Sequence, residues 1–547
     1  MSTAASRLLV RRWGLSADAL RVVDGFLSAW ADGHTLIDLE PDEIDLLTSS
    51  TAVSDGSRQT PLVLRDGRLQ SWRLHMAEGR VARRLHELVT RAPIQDEFDP
   101  KSLDTLFPDV ASAQRRVATV GQQRKFVLVT GGPGTGKTTV AARLLVLLAS
   151  RDTQVRMALA APTARAAVRL GEAFGAAVTG LDDKFERATG KLMSAASTPR
   201  TVHRLLGWNP YSGRCRFHAY NPLPYDVIVV DEASMLDLML WDRLLEALVP
   251  ETQLVVLGDH RQLESVGAGR VLGELVVAAE AGLLNDSHVE LDRNYRFDSQ
   301  AEIGRLAEAI KHHDGASAVR ILRNPSKRGG AVVRYASGAL NEAVDAMWPN
   351  VLDVIQARTP EQAHEALARV RVLCAVNAGP YGSDGMNVMI DNRLREEGVV
   401  TGSGAHGRPV IVRVNDNTGH NGLNNGDVGV VLHGVGDHDS GVYFPGPAGV
   451  PQMRRVSIEA MPRHDTAWAL TVHRAQGSEF DAVLFVLPPT LREHDLVNSE
   501  LLYTGVTRAR SRVVIVADEA SVHDACQRRE VRRTGLMEQL RLCEAKN

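Results

Sequence analysis

At 547 residues the chain is too long for a single hydrophobic core and is expected to divide into two to four domains. Its composition is 44% hydrophobic, 24% charged and 5% aromatic, with no apolar run long enough to cross a bilayer, which argues against a membrane span. A net charge of −3 excludes a histone-like polycation but permits a locally basic nucleic-acid groove, and four scattered cysteines argue against a disulfide framework or a cysteine-held metal cluster.

The N-terminal "RRWGLS" has the look of a twin-arginine export signal. The following "ADALRVVDGFLSAWADG" is broken by charges where such a signal needs an apolar core, so the chain is expected in the cytoplasm. Residues 1–100 read as mainly helical: Ser16 is a helix cap, Leu20, Val23, Leu27 and Trp30 recur at helical spacing, and "WRLHMAEGRVARRLHELVTR" continues the pattern. Nothing in this segment has the look of a catalytic cluster. "APIQDEFDPKSLDTLFPD" reads as a linker.

Apolar strands then alternate with helices in "KFVLVTGG", "VAARLLVLLAS", "VRMALAAPT", "YDVIVVDEAS" and "TQLVVLGD", the pattern of an α/β domain whose parallel sheet is buried on both faces. From about 286 the pattern turns helical, and it returns to strands at "VRVLCAVN". From 408 to about 460 it becomes short strands between Gly-rich and Asn-rich turns, which fits a small β-barrel inserted into a second α/β domain. The basic tail "QRREVRRTG" reads either as a solvated helix face or as a binding patch.

The strongest local signal is "VTGGPGTGKTT", residues 129–139, which fits G-x-x-x-x-G-K-[ST] between a strand and an amphipathic helix. Gly131, Gly132, Pro133, Gly134, Thr135 and Gly136 form a loop whose backbone approaches phosphates. Lys137 reaches the β and γ phosphates, Thr138 offers a hydroxyl to Mg²⁺, and Thr139 follows on the helix. A triphosphate site that turns over also needs carboxylates, and "VIVVDEAS" supplies Asp231 for the metal and Glu232 to orient water. In "LVVLGDHRQLESVGAG", Gln262 reads as a γ-phosphate sensor beside Asp259, or as a simple cap. Arg296 in "ELDRNYRF", and Arg508 and Arg510 in "YTGVTRARSRVVIVAD", are arginines that a second domain would present to the γ phosphate; the alternative is ordinary surface ion pairing.

The ordered set "GGPGTGKTT", "LAAPTARAA", "TVHRLLGW", "VVDEASMLDL", "VLGDHRQLESVGAG", "LDRNYRF", "TVHRAQGSEF" and "YTGVTRARSR" resembles superfamily 1 helicases, and specifically the superfamily 1B chains of the RecD type from the bacterial RecBCD enzyme, exodeoxyribonuclease V. The match runs from roughly 105 to the C-terminus, and "LCAVNAGPYGSDGMN", "GRPVIVRVND", "NNGDVG" and "RRTGLMEQL" resemble RecD in particular. Departures fall at Arg474 and Ala475, where RecD-like chains usually have Lys and Ser, and at Ala164, where they usually have Gly.

The resemblance implies an α/β fold with two RecA-like P-loop motor domains, residues 101–285 and 286–399 with 464–547. It also implies an SH3-like β insertion at 400–463, a wedge hairpin near 207–226, and a helical docking domain at 1–100. It implies ATP and Mg²⁺, with Gln114 reading adenine, Tyr295 stacking on the base and Glu479 near the ribose. Pro162, Thr163, Thr201, His203, Asn415, Thr471, His473 and Gln476 become candidates for contacts with a DNA strand, mostly to phosphate and sugar. The activity implied is ATP-dependent 5′ to 3′ DNA unwinding at single strands and duplex ends, in double-strand break repair by homologous recombination alongside RecB-like and RecC-like subunits. No separate nuclease constellation is visible. A free-standing RecD-like helicase, or a DNA-stimulated ATPase switch that never separates strands, remains open.

Overall fold

The computed structural model describes residues 11–545 apart from 92–97, 153, 180, 182, 197, 296–301, 325–330, 400, 401, 403, 416–421, 435–438, 447–452 and 491–496. Among the described residues twenty strands, β1 to β20, form four sheets. The N-terminal strands are β1 (Leu36–Asp38), β2 (Val53–Ser54), β3 (Leu62–Arg65) and β4 (Arg68–Ser71). Residues 1–100, expected to be helical, therefore also carry a four-stranded sheet in the order β1-β4-β3-β2. β3 and β4 are joined through Asp66 and Gly67, both at positive φ, 51° and 72°. That Asp-Gly pair is a hairpin signal inside "LVLRDGRLQS", and the short strands beside it lack the length that makes a strand legible. The helix Ala17–Ala31 is capped by Ser16, whose hydroxyl accepts from the Ala19 N–H at 3.1 Å.

The first parallel sheet contains β5 (Phe126–Gly131), β6 (Met157–Ala161), β7 (Arg200–Thr201), β8 (Val227–Val230), β9 (Gln253–Gly258) and β10 (His288–Leu291), in the order β10-β5-β9-β8-β6-β7. Every residue of β5, β8 and β9 is buried, as continuous apolar runs require when helices cover both faces. Pairing of Thr130 with Gly258 and of Val230 with Val256 brings the polar ends of β5, β9 and β8 to one edge. That edge, outside the carboxyl ends of parallel strands, is where such sheets bind ligands.

The second parallel sheet runs β11-β20-β19-β12-β18, from β11 (Ala331–Tyr335), β12 (Val370–Cys374), β18 (Ala469–Thr471), β19 (Phe480–Val486) and β20 (Ala509–Val516). Between β12 and β18 the chain inserts an antiparallel five-stranded sheet of β13 (Pro409–Val412), β14 (Val428–Leu432), β15 (Gly441–Phe444), β16 (Arg454–Val456) and β17 (His464–Thr466), in the order β16-β15-β14-β13-β17. Alternation serves two cores here: Val431, Val442 and Phe444 pack within the insertion, while Val430, Leu432 and Tyr443 pack with Met386, Ile390 and Trp348. Around 207–226 the described backbone has two isolated bridges, Asn209 with Arg214 and His218 with Asn221, rather than two continuous strands; Tyr211 and Tyr220 are strongly exposed there. No helix among the described residues is long and apolar enough to cross a membrane.

The basic tail is neither a solvated face nor a free patch. Leaving the second sheet, it crosses the first parallel sheet's Ser265–Gly269 loop and ends as the helix Leu536–Glu544, packed on the helix Trp72–Thr90. Arg532 donates to the carbonyls of Gly267 and Gly269 at 2.9 and 3.0 Å and pairs with Glu530 at 2.6 Å. Leu536 and Leu540 enter the same core as Phe26, Val81, Trp241 and Leu275, so the N-terminal segment, the first parallel sheet and the tail share one hydrophobic interior.

Two glutamates, Glu78 buried and Glu274 partly so, fasten this crossing. Glu78 accepts from the Gly535 N–H at 2.8 Å, the Thr35 hydroxyl at 2.6 Å and the Gln70 amide at 3.1 Å, and a Cβ on Gly535 would stand 2.6 Å from its carboxylate. Glu274 accepts from the Met537 N–H at 3.1 Å and from the Thr534 hydroxyl. Burial, with Glu78 nearby, pushes Glu274 up to about 8, and burial pushes Glu264 up to about 7 against the pull of Arg270. The folded chain thus keeps protons that the unfolded chain releases above the ordinary glutamate range. Stability is fullest at low pH within this window and falls as pH rises towards 8. The melting temperature is expected to drop between pH 6 and pH 8.5, and Glu274→Gln is expected to flatten that drop; an unchanged slope in the variant counts against the assignment.

Candidate nucleotide cleft

The loop after β5 is shaped by its glycines. Gly134 and Gly136 have φ of 81° and 85°, and a Cβ on Gly131 would lie 2.5 Å from the Leu291 carbonyl. Gly136 ends the loop in the left-handed region and starts the helix Lys137–Arg151, whose first N–H groups have no side-chain cap and face the loop. Lys137 donates to the carbonyls of Gly131 and Gly132 at 2.6 and 3.0 Å, and the Thr135 hydroxyl donates to Gly132 at 2.9 Å. Both bonds set the loop around the ammonium.

A cavity of about 420 Å³ opens over this loop. Pro133, Gly134, Gly136, Lys137, Thr138 and Thr139 line it from one side, with Asp231, Glu232 and Gln262 from the neighbouring strand ends. Glu232 has φ of 53°, an unusual value for a residue with a side chain, and its N–H donates to Asp231 at 2.8 Å. Burial, and Glu232 beside it, push Asp231 up to about 6 against the pull of Lys137. Thr138 and Asp231 present two oxygen donors in this cavity, the kind of sparse protein ligand set that Mg²⁺ takes together with phosphate oxygens and water.

The facing wall belongs to the second sheet. Thr507, Arg508 and Glu479 line the same cavity as Lys137. Arg508, 3% exposed, donates to the Gln262 side-chain oxygen, to the Ser478 carbonyl at 3.2 Å and to Thr504 at 3.3 Å. The Thr504 hydroxyl accepts from the Leu263 N–H at 3.0 Å, and the Gln476 amide donates to the Leu263 carbonyl at 3.3 Å. Three side chains of the second sheet thus converge on Gln262 and Leu263. The structure accordingly places Gln476, a candidate strand contact, buried between the two sheets.

Glu479, a candidate ribose partner, pairs with Arg169 at 2.9 Å and Arg510 at 3.3 Å, and Arg169 also donates to the Gly477 carbonyl at 2.8 Å. Tyr295 is half exposed at the mouth, its N–H donating to Gly134 at 2.8 Å while the Asn294 amide donates to Pro133 at 2.9 Å. The Gln114 amide lies 3.4 Å from where a Cβ on Gly136 would sit, so Gln114 and Tyr295 flank the same glycine. Arg296 lies outside the described residues. Thr504, Arg169 and Tyr503 were not singled out from sequence. The Tyr503 hydroxyl stands 2.8 Å from the Cβ position of Gly132, and burial together with Asp259 holds its phenol protonated well above the usual range. All three lie in or beside motif strings; what was missing was which partner each would meet.

The remaining strand candidates lie at strand ends and caps. Thr163 caps the helix Ala164–Val178 and Thr201 the short helix Val202–Leu205, accepting from the Ala166 and Arg204 N–H groups at 3.2 Å each, next to Pro162 and His203. Thr471 ends β18 and accepts from the Arg474 N–H at 3.4 Å, with His473 in the following turn. Asn415 accepts from the Asn425 N–H at 2.7 Å in the insertion.

Removing the ammonium should abolish turnover without unfolding the chain. Lys137→Gln is expected to eliminate single-strand-stimulated ATP hydrolysis while circular dichroism stays unchanged, and undiminished turnover would refute the site. Arg508→Ala is expected to lower kcat by about 10³-fold or more, as for other arginines that meet a transferring phosphoryl group. A change confined to KM would instead mark Arg508 as a ground-state contact.

Comparison with known proteins agrees with this geometry. Residues 114–268 match the family model described as an AAA domain, and residues 466–516 match the UvrD-like helicase C-terminal domain. The RecBCD enzyme subunit RecD of Mycolicibacterium smegmatis is 40% identical over 442 residues, 78% of this chain and 74% of that protein. The RecD subunit of Haemophilus influenzae is 30% identical over 87% of this chain and 80% of its own length. The ATP-dependent RecD2 DNA helicase of Deinococcus radiodurans is 31% identical over 76% of this chain and 50% of its length. With both motor segments matched and identity of this level sustained across most of the chain and of its relatives, the chain belongs to the RecD family of helicases.

Proposed function

We propose that this ATP-dependent DNA helicase is the RecD-type subunit of a RecBCD-like complex acting on duplex ends in recombinational repair, moving 5′ to 3′ beside RecB-like and RecC-like subunits. The observation that carries the motor reading is the convergence of Arg508, Gln476 and Thr504 on Gln262 and Leu263 above the Lys137 loop. A γ phosphate held by Lys137 and sensed by Gln262 alters the footing of Arg508, so binding and loss of that phosphate drive the two sheets together and apart. Glu232 orients the attacking water, and Thr138 with Asp231 would hold Mg²⁺, which neutralises charge on the phosphate oxygens when bound.

Gln114, Tyr295 and Glu479 form the adenosine side of the site. Pro162, Thr163, Thr201, His203, Asn415, Thr471 and His473 follow the strand through contacts that are largely blind to sequence. The antiparallel insertion acts as an SH3-like cover over that strand, and the turns at 207–226 act as the wedge at the fork. The N-terminal segment docks a RecC-like partner, and the protein works in the cytoplasm on nucleoid DNA.

Unwinding of duplexes with 5′ or 3′ single-stranded overhangs, measured beside ATP turnover after pull-down from the native host, tests this reading. Expected are unwinding from the 5′ overhang and co-purification of a RecB-like and a RecC-like subunit. ATP turnover stimulated by single strands with no strand separation on either substrate would leave an ATPase switch instead, and activity of a lone monomer would favour a free-standing helicase.

A further inference from the structure

A second and larger cavity, about 740 Å³, lies where the helix Ala164–Val178 of the first motor sheet meets the helix Pro360–Arg369, β12 and β19 of the second and β14 and β15 of the insertion. Its charge is lopsided: six arginines line it against two carboxylates, Glu172 and Asp427. Four of the six have protein partners. Arg169 holds Glu479, Arg204 donates to Asn424 at 3.1 Å, Arg454 pairs with Asp427 at 3.6 Å, and Arg200 reaches the Tyr225 hydroxyl at 3.4 Å.

Arg165 and Arg371 are different. Among the described residues neither has a carboxylate within ion-pair distance. Arg371 is 2% exposed; one guanidinium nitrogen donates to the Ala467 carbonyl at 2.7 Å, and its Nε is buried with no partner. Arg165 and Arg371 come from opposite motor sheets, yet their guanidiniums lie 5.8 and 5.4 Å from the centroid of one ring, Phe480. Burial, and the charge of Arg165, draw Arg371 down to about 9; burial and Arg169 draw Arg165 down to about 10 against the pull of Asp427. Two like charges brought together without an ion-pair partner, one of them fully buried, are costly, and a cavity that retains them is built to receive an anion.

We propose that this cavity binds a phosphate group between Arg165 and Arg371, supplied by the backbone of the translocating strand. Planar guanidiniums match phosphate oxygens in a two-pronged fashion, and neither arginine is among the strand contacts assigned above. The proposal rests on the helicase reading for its ligand, but the site itself rests on the unpaired cations. Because one arginine belongs to each motor sheet, a phosphate shared between them favours the closed cleft. Arg169, one helical turn beyond Arg165, already grips Glu479, which directly precedes Phe480, so strand grip and nucleotide wall move together.

The test uses the full chain, a fluorescent oligo(dT) and inorganic pyrophosphate. For the double variant Arg165→Gln with Arg371→Gln, the slope of log affinity against log salt should shrink by about 0.7, the share of one phosphate on a single strand. Arg165→Lys should keep the wild-type slope. Without ligand, Arg371→Met should melt at or above the wild-type temperature, whereas a merely structural arginine would lower it on removal. A melting shift of the wild type by pyrophosphate, lost in the double variant while the oligo(dT) slope is unchanged, assigns the site to a free phosphate ligand rather than the strand. An unchanged slope together with no pyrophosphate shift overturns the site. If the wild type binds no oligo(dT), the helicase reading fails, and the pyrophosphate arm alone then decides the cavity.

Discussion

The structure depends on the grip of one motor sheet on two residues of the other. Gln262 and Leu263 follow β9, the strand next to the phosphate loop, and their side-chain and backbone groups are taken up by Arg508, Thr504 and Gln476. Each of these bonds is buried, so leaving one unmade costs more than it would at the surface. A contact of that kind is bistable rather than elastic. It is either made, with both sides dry, or broken, with both sides rehydrated, which is the kind of interface that a proposed phosphate-driven movement of domains requires.

Around this contact the charges are arranged unevenly. In the nucleotide cleft, Lys137 and Arg508 face Asp231 and Glu232, and burial holds Asp231 above the ordinary carboxylate range. At the crossing of the tail, glutamates 78 and 274 are kept by backbone and hydroxyl donors and not by bases. In the larger cavity the imbalance is reversed, with two guanidiniums sharing Phe480 and no acid between them. Acids without bases fasten the static part of the molecule, while cations without acids line the part offered to an anionic polymer.

The tail links these regions. Arg532 holds the carbonyls of Gly267 and Gly269, four to seven residues beyond Gln262 and Leu263, and the same segment continues into the core shared with the N-terminal sheet. The loop that carries Gln262 and Leu263 is therefore held from two directions, by the second motor sheet on one side and by the tail on the other. Movement of the second sheet bears on both.

What the amino-acid order settles unaided is local. The phosphate loop was legible because Gly134, Gly136 and Lys137 act within one turn of chain, and Asp231, Glu232 and Gln262 were legible because buried parallel strands deliver the residues that follow them to one edge. The β3–β4 hairpin was also written locally, in Asp66 and Gly67, but its strands were too short to stand out from helical surroundings. The destination of Gln476, the role of Thr504, the path of Arg532 and the meeting of Arg165 with Arg371 were not legible. The first two reach partners 213 and 241 residues away, and Arg532 reaches one 265 residues away. No periodicity or turn residue encodes such a pairing; only the packing of whole sheets decides which polar group a side chain will meet once water is gone.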